Sequence, residues 1–345
     1  MTDAELRDQA VAALEATTIT YPAWVKKVAD GKYSPKDGSG TYWGKAFAAL
    51  AQIGVTPPPP PPPPPALGTI THVASPWDNW PKAKTRADWN LAPVIAQAKH
   101  QTLLSASVAA ADAAIGTPVV TGPFGGRTLH VPVPPGTTHG GSYDQHLTIY
   151  DPVFALETDM WQANGPPVTS AQGCAQFPAG AASEDNGNSN AAMLPLRRGL
   201  ILPSDVAGAV IHPLVFAIDV AGSGAPVYPS ATDPAYAGKG AGLPPWGARL
   251  GFPAGTTWPK LDALSDYVCR CLADPHGGMF LRDLGTGGSL TIYGLDAINQ
   301  GGAATWAAAG VTLQPNATLT PPLYYAVLSP LIPWDKLEAY DPPTP

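Results

Sequence analysis

The side chains best suited to acid–base chemistry lie in one short stretch, where Asp144 and His146 are followed by Glu157, Asp159 and Trp161. A carboxylate beside a histidine fixes its tautomer and raises its pKa, and two carboxylates can divide the acid and base roles of glycoside hydrolysis. An indole ring can stack on a sugar. These residue types indicate glycan binding or glycan cleavage, with Glu157 as the general acid and Asp159 as the group that orients His146.

Two strands joined by a hairpin are predicted to position these residues, because polar and apolar side chains alternate on both sides of residues 151–154. The cross-strand pairs expected from a loop at 151–154 are Tyr150 with Ala155, Thr148 with Glu157, His146 with Asp159, and Asp144 with Trp161. All the polar groups then share one face. The alternative is a solvated outer face of an antiparallel sheet, on which such residues are ordinary.

The residues expected to contact a glycan are Trp161, Asp144, Tyr150, His212 and Trp246. Two of them have a structural alternative. His212 follows apolar residues and precedes a proline, which favours a core histidine with a satisfied hydrogen bond. Trp246 lies in a Pro/Gly-rich loop, where an indole can instead anchor the loop to a sheet.

No metal or other cofactor is predicted. His139 with Asp144 and His146 offers ligands that suit zinc or manganese, but their spacing matches no established motif. The Gly-rich stretches 277–278 and 285–288 lack the context of a phosphate-binding loop. Cys174, Cys269 and Cys271 are predicted to be buried free thiols, because an odd count fits no disulfide framework.

Charge and hydropathy exclude several classes of partner. The formal charge of −7 and the absence of any Lys/Arg cluster disfavour nucleic-acid binding. No apolar run reaches the ~18 residues that a membrane span requires, and the first residues do not resemble a signal peptide. Synthesis in the cytoplasm without a signal peptide is therefore expected.

Three segments are expected along the chain. Helical spacing of apolar residues predicts a pair of helices within residues 1–55. Residues 56–66 contain nine consecutive prolines, which form a stiff polyproline II spacer of roughly 28 Å. Residues 67–345 form a β-rich domain, because 36 glycines and 42 prolines in the chain favour short strands and turns.

The β-rich domain is predicted to be a two-sheet antiparallel sandwich of jelly-roll type. Residues 290–293 and 323–327 carry strand signals. A covering helix is expected from Pro259 to about Ala273, since Leu264, Val268 and Leu272 recur at helical spacing. The Ala-rich stretch from Leu103 to Ile115 is expected to form another helix.

Two groups of motifs resemble known families. Residues 4–14 (Ala-Glu-Leu-Arg-Asp-Gln-Ala-Val-Ala-Ala-Leu), the segment around Trp24 and residues 43–50 (Trp-Gly-Lys-Ala-Phe-Ala-Ala-Leu) resemble the opening module of mycobacteriophage minor tail proteins. Residues 144–149, 157–163, 194–201 and 208–214 are similar to a family of largely uncharacterised actinobacterial proteins.

These resemblances imply a virion component at the phage tail tip. Residues 1–55 would attach the protein to other tail proteins, and the β-rich domain would recognise a host cell-envelope glycan. A homo-oligomer is expected, as is common at tail tips. The alternative is a glycan hydrolase or lyase that acts on the same envelope.

Overall fold

The computed structural model describes residues 70–341 with gaps. The gaps are residues 71–72, 74, 83–84, 114–118, 125–126, 135, 142–143, 153, 166–167, 179–188, 221–224, 231–241, 286–287, 298–301 and 317–322. The predicted helical pair and the polyproline spacer lie outside the described residues. No helix in the described part is long and apolar enough to span a membrane.

The described part of the chain is mainly β, as predicted. Its strands are β1 (Thr85–Arg86), β2 (Thr102–Asp112), β3 (Val119–Phe124), β4 (Arg127–Pro132), β5 (Leu147–Asp151), β6 (Leu156–Trp161), β7 (Gly173–Pro178), β8 (Leu214–Ala217), β9 (Arg249–Gly251), β10 (Met279–Asp283), β11 (Leu290–Leu295), β12 (Gln314–Asn316), β13 (Leu323–Val327) and β14 (Glu338–Tyr340). The helices are α1 (Ala92–His100), α2 (Pro203–Gly208), α3 (Ala263–Ala273) and α4 (Gly302–Ala308).

Most strands belong to one large sheet with the order β1-β14-β9-β10-β8-β11-β2-β5-β6-β7. β13 pairs with both β2 and β12, and β3 and β4 form a separate hairpin. The pairs β10–β8, β11–β2 and β2–β5 are parallel, so the sheet is mixed and not purely antiparallel as predicted. The jelly-roll arrangement is not confirmed.

The long strand β2 lies between the strands β1-β14-β9-β10-β8-β11 on one side of the sheet and β5-β6-β7 on the other. Its residues 102–108 pair with β11, and its residues 109–112 pair with β5. The helix predicted from Leu103 to Ile115 is therefore wrong. Alanine favours helices in isolation, but small side chains also fit a strand that is buried on both faces, and such tertiary packing outweighs propensity.

The larger hydrophobic core lies under α3. Asp262 caps this helix by accepting a hydrogen bond from the Ser265 amide (2.9 Å), which makes the helix begin four residues after Pro259. Leu264, Val268 and Leu272 are buried in this core, so the predicted covering helix is confirmed.

A smaller core lies between the β3–β4 hairpin and one face of β5–β7. Leu129 and Val131 of β4 belong to the same cluster as Leu147, Ile149 and Met160 of the β5–β6 hairpin. Cys174 also lies in this cluster, and all three cysteines are buried free thiols, as predicted.

Candidate functional site

The β5–β6 hairpin forms as predicted, but its register differs. Thr148 lies opposite Asp159 and Tyr150 lies opposite Glu157. The predicted pairs Tyr150–Ala155, Thr148–Glu157 and His146–Asp159 are therefore wrong. Asp151, predicted as the first loop residue, instead pairs with Leu156 in the strand, so the loop comprises residues 152–155. The turn is supported by a hydrogen bond from the Phe154 amide to the Asp151 carboxylate (3.2 Å).

The polar face of this hairpin is buried, contrary to both expectations for it. Glu157 and Asp159 have no exposed surface, and the segment 194–200 covers them. The Leu196 amide donates to Asp159 Oδ2 (2.6 Å), and the Arg197 amide donates to Glu157 Oε1 (2.8 Å). The face is therefore not solvated, and Glu157 does not reach outward.

Arg198 balances the buried charge of Glu157, and its neighbour Arg197 pairs with Asp112. Arg198 Nε lies 3.2 Å from Glu157 Oε2, and its Nη2 donates to the carbonyl of Pro178 (3.0 Å). Arg197 Nη2 donates to Asp112 Oδ1 (2.6 Å) at the partly exposed end of β2. Both arginine side chains are buried. The arrangement joins the covering segment to β2, β6 and β7.

Asp159 has a different environment from Glu157. Burial raises the pKa of its carboxyl group well above the ordinary value, and the nearby charge of Glu157 adds to the rise. The charge of Arg282 and the Leu196 amide oppose this rise. A carboxyl group in this environment can be neutral where Asp residues are normally ionised, but it has no path to a substrate on the surface.

Arg282 lies at the other end of the polar face and is completely buried. Its Nε donates to the Leu194 carbonyl (3.4 Å), its guanidinium carbon lies 5.3 Å from the Tyr293 ring centroid, and its Nη1 lies 3.7 Å from Asp283 Oδ2. Within the described residues, Nη1 and Nη2 have no hydrogen-bond acceptor in good geometry.

His146 is also buried, with its ring edge-on to Tyr293 at 6.0 Å between centroids. Burial lowers the pKa of His146 to about 4, and the charge of Arg282 contributes. The imidazole is therefore neutral near pH 7. Its Nδ1 has no hydrogen-bond partner in the described part of the chain. It is not opposite Asp159 and is not poised as a solvent-facing base.

The Asp144–Trp161 pair reaches the surface. Asp144 is exposed, Trp161 is partly exposed, and the indole Nε1 donates to Asp144 Oδ1 (3.2 Å). Gln145 and Gln162 flank this pair with left-handed φ values of 46° and 49°. The Gln162 amide donates to the Asp144 carbonyl (2.8 Å), which holds these two strained segments together.

Sequence reasoning also missed Asp283, the last residue of β10, whose pKa is influenced by the charge of Asp144. Its side chain is 23% exposed. Burial raises the pKa of Asp283 to about 6; Arg282 opposes the rise, and the charge of Asp144 adds to it. In the sequence, Asp283 is noticeable only as part of a charged Arg-Asp pair that follows the apolar residues of β10. No neighbouring residue in the sequence indicates an interaction with Asp144.

The remaining predicted glycan contacts differ in exposure. Tyr150 is partly exposed. Trp246 is buried in the larger core. His212 is also buried, and its Nδ1 donates to the Pro213 carbonyl (2.8 Å). The Tyr267 hydroxyl lies 3.0 Å from His212 Nε2. Trp246 and His212 therefore present no surface to a glycan. Their burial agrees with the alternatives given for them, an indole that anchors its loop and a core histidine.

No group of three or more His, Cys, Asp or Glu side chains in the described part of the chain is arranged to hold a metal ion. His139 Nδ1 donates to the Gly140 carbonyl (2.8 Å). Three of the four stretches that carry the second resemblance, residues 144–149, 157–163 and 194–201, meet at the buried polar face. Comparisons with protein-family models, with curated proteins and with solved structures found no match to this chain.

Proposed function

We propose that this chain is a minor tail protein of a phage with an actinobacterial host, and that its β-rich domain binds a glycan of the host envelope without cleaving it. The N-terminal segment attaches the protein to other tail proteins in the virion. The motifs in residues 4–14 and 43–50 support the tail location.

One observation favours binding over cleavage: Glu157 and Asp159 are buried beneath the segment 194–200, and one oxygen of each accepts a hydrogen bond from a backbone amide of this segment. A general acid must come within hydrogen-bond reach of the glycosidic oxygen, and neither carboxyl group can do so. Besides the partly exposed Tyr150, the predicted site reaches the surface at the Asp144–Trp161 pair. This pair has the composition of a sugar contact and not of a catalytic pair.

We also propose that the β-rich domain is the two-sheet sandwich expected from the sequence. The smaller core, between the β3–β4 hairpin and β5–β7, supplies one pair of packed layers. Such an arrangement presents the ends of β5 and β6, and with them Asp144 and Trp161, at one edge of the domain.

The test is incubation of the full chain with purified host cell-wall glycans, reading both the retained protein and the released oligosaccharides. We expect retention without release. Trp161→Ala should weaken retention by roughly 1 kcal/mol, about fivefold in Kd, because a stacking ring is lost. Trp258→Ala is the matched control, because Trp258 is also partly exposed and also donates its indole hydrogen to an aspartate (Asp266, 2.9 Å).

Two results would contradict the proposal. Release of oligosaccharides by the wild type would make the chain an enzyme, and equal losses in Trp161→Ala and Trp258→Ala would remove the Asp144–Trp161 pair from the binding site. Tail attachment is tested separately: deletion of residues 1–54 should abolish incorporation into virions.

A further inference from the structure

A segment that follows the polyproline spacer is packed into the larger core. In residues 75–82, which we call the anchor segment, Ser75 Oγ accepts a hydrogen bond from the Trp77 amide (3.1 Å) and so caps a short 3-10 helix. The Trp77 side chain is completely buried, and its ring lies 5.0 Å from the ring of Phe280 in β10. The ring of Trp80 lies 6.4 Å from the same phenyl ring. Two indoles therefore hold the anchor segment on the sheet.

Lys82 is the last residue of the anchor segment and binds the C-terminal end of α3. Its Nζ donates to the Leu272 carbonyl in the last turn of α3 (2.8 Å) and to the Phe252 carbonyl (2.7 Å). Burial lowers the pKa of Lys82 to about 8, and the charge of Arg249 contributes, so the amine is still protonated at pH 7. The negative end of the helix dipole favours a cation at this position.

The main chain of the anchor segment is also bound. The Lys82 amide donates to the Pro275 carbonyl (2.7 Å), and the Trp80 carbonyl accepts from Arg249 Nη1 (2.8 Å). The stem of Lys82 lies against Gly251, where an added Cβ atom would be only 3.3 Å from Lys82 Cδ. Side chains and backbone of the anchor segment are therefore joined to β9, to α3 and to the residues that follow α3.

The next element along the chain, β1, has far fewer contacts of this kind. It consists of Thr85 and Arg86, which pair with Tyr340 and Ala339 of β14. Antiparallel hydrogen bonds run perpendicular to the strands, so a pull on the chain ahead of Thr85 would break them one after another. A pull from the N-terminal side reaches the anchor segment before it reaches β1. The anchor segment is therefore placed to resist such a pull.

We infer that the anchor segment is the mechanical junction of this protein, at which a load on its N-terminal side enters the β-rich domain, and that Lys82 secures this junction. Such a load arises when the N-terminal segment is held in the virion while the β-rich domain is held by the host surface. The inference rests on the proposed attachment through the N-terminal segment. It does not depend on which ligand the β-rich domain binds.

The experiment uses magnetic tweezers at constant force on the full chain, held by tags at its two ends, and measures the rate of the first unfolding step. Lys82→Met keeps a long apolar stem and removes the charged donor. We expect this variant to unfold roughly tenfold faster under load than the wild type, because two hydrogen bonds from a charged group are lost. Lys260→Met is the matched control, since Lys260 is an exposed lysine outside the anchor segment, and it should unfold at the wild-type rate.

A second control moves the point at which the chain is pulled. Ala96 is exposed on α1, and the three native cysteines are buried, so Ala96→Cys provides a thiol that a handle can reach in the folded protein. A load between this residue and the C-terminal tag does not pass through the anchor segment. Lys82→Met should then change the unfolding rate far less than it does when the chain is pulled from its N-terminal end.

Two outcomes would overturn the inference. An unchanged rate in Lys82→Met would show that Lys82 does not secure the junction. Equal acceleration from both pulling points would show that Lys82 supports the fold in general and not the path of the load. Lys82→Gln retains a neutral donor and should give a smaller acceleration with the same dependence on the pulling point, so it provides the same test if Lys82→Met does not fold.

The proposed attachment is tested by a different result. Normal incorporation into virions after deletion of residues 1–54 would overturn the attachment, whereas the pulling experiment addresses the anchor segment alone.

Discussion

The two faces of the β5–β6 hairpin are both buried, but they are buried in different ways. One face presents Leu147, Ile149 and Met160 to the β3–β4 hairpin in an apolar core. The other presents Glu157 and Asp159, which bind backbone amides and an arginine of a covering segment. Apolar packing depends on volume, whereas the charged face depends on particular partners. We therefore expect the apolar face to tolerate substitutions that keep the side-chain volume, and the charged face to tolerate few substitutions.

The largest expected effect comes from breaking the charged face. Glu157→Ala should lower the free energy of unfolding by about 3–5 kcal/mol, because it leaves Arg198 buried without its carboxylate. Urea denaturation measures this loss. The double variant Glu157→Ala/Arg198→Met should recover part of it, since no uncompensated charge then remains. A loss below about 1 kcal/mol in Glu157→Ala would show that the ion pair does not hold the covering segment.

The pH dependence of stability should also come from this side of the hairpin. The folded pKa of His146, about 4, lies below its unfolded value, so the unfolded chain binds more protons and stability falls as the pH drops from about 6.5 to 4. Asp283 has a folded pKa of about 6, above its unfolded value, so the folded chain binds more protons and stability rises over the range from 6 to 4. The raised pKa of Asp159 acts in the same direction as that of Asp283.

These opposing contributions can be separated by substitution. Asp283→Asn should make the acid-side loss of stability steeper, by roughly 2 kcal/mol between pH 6 and pH 4, because it removes a stabilising proton uptake. His146→Phe should reverse the slope. Denaturant titrations at pH 4, 5, 6 and 7 supply the comparison, and parallel curves for wild type and Asp283→Asn would contradict the assignment.

The smallest effect is expected on the apolar face. Ile149→Val should cost about 1 kcal/mol, since one buried methylene group is removed from the smaller core. The loss should be the same at pH 5 and pH 7, because no titratable group is disturbed. A loss that varies with pH would mean that the two faces are coupled and cannot be described separately.

Local patterns predicted the strands of this hairpin, the helix that begins after Asp262, and the burial of the three free cysteines. Each of these depends on residues close together in the chain. The predicted register was wrong because the sequence does not show whether Asp151 is the last residue of the strand or the first residue of the loop. In the structure Asp151 belongs to the strand and pairs with Leu156.

The remainder could not be predicted because it depends on distant segments. Alternation showed that Glu157 and Asp159 share a face, but the segment 194–200 decides that the face is buried. Asp283 takes its place at the end of β10 through the parallel pairing of β10 with β8, a strand more than 60 residues earlier in the chain. The alanine-rich segment of β2 is a strand and not a helix because it pairs with β11 and β5, which are distant in sequence.

The order in which the chain folds follows from β2. Its end at Ala109 pairs with Leu147, so this half can form soon after the β5–β6 hairpin has emerged from the ribosome. Its start at Thr102 pairs with Leu290 and cannot form this pair until β11 has been synthesised. Pulse-labelled hydrogen exchange during refolding should therefore protect the amides of residues 109–112 before those of residues 103–108. The two halves of one strand would then form at different times, residues 109–112 with β5 and residues 102–108 only with the later strand β11.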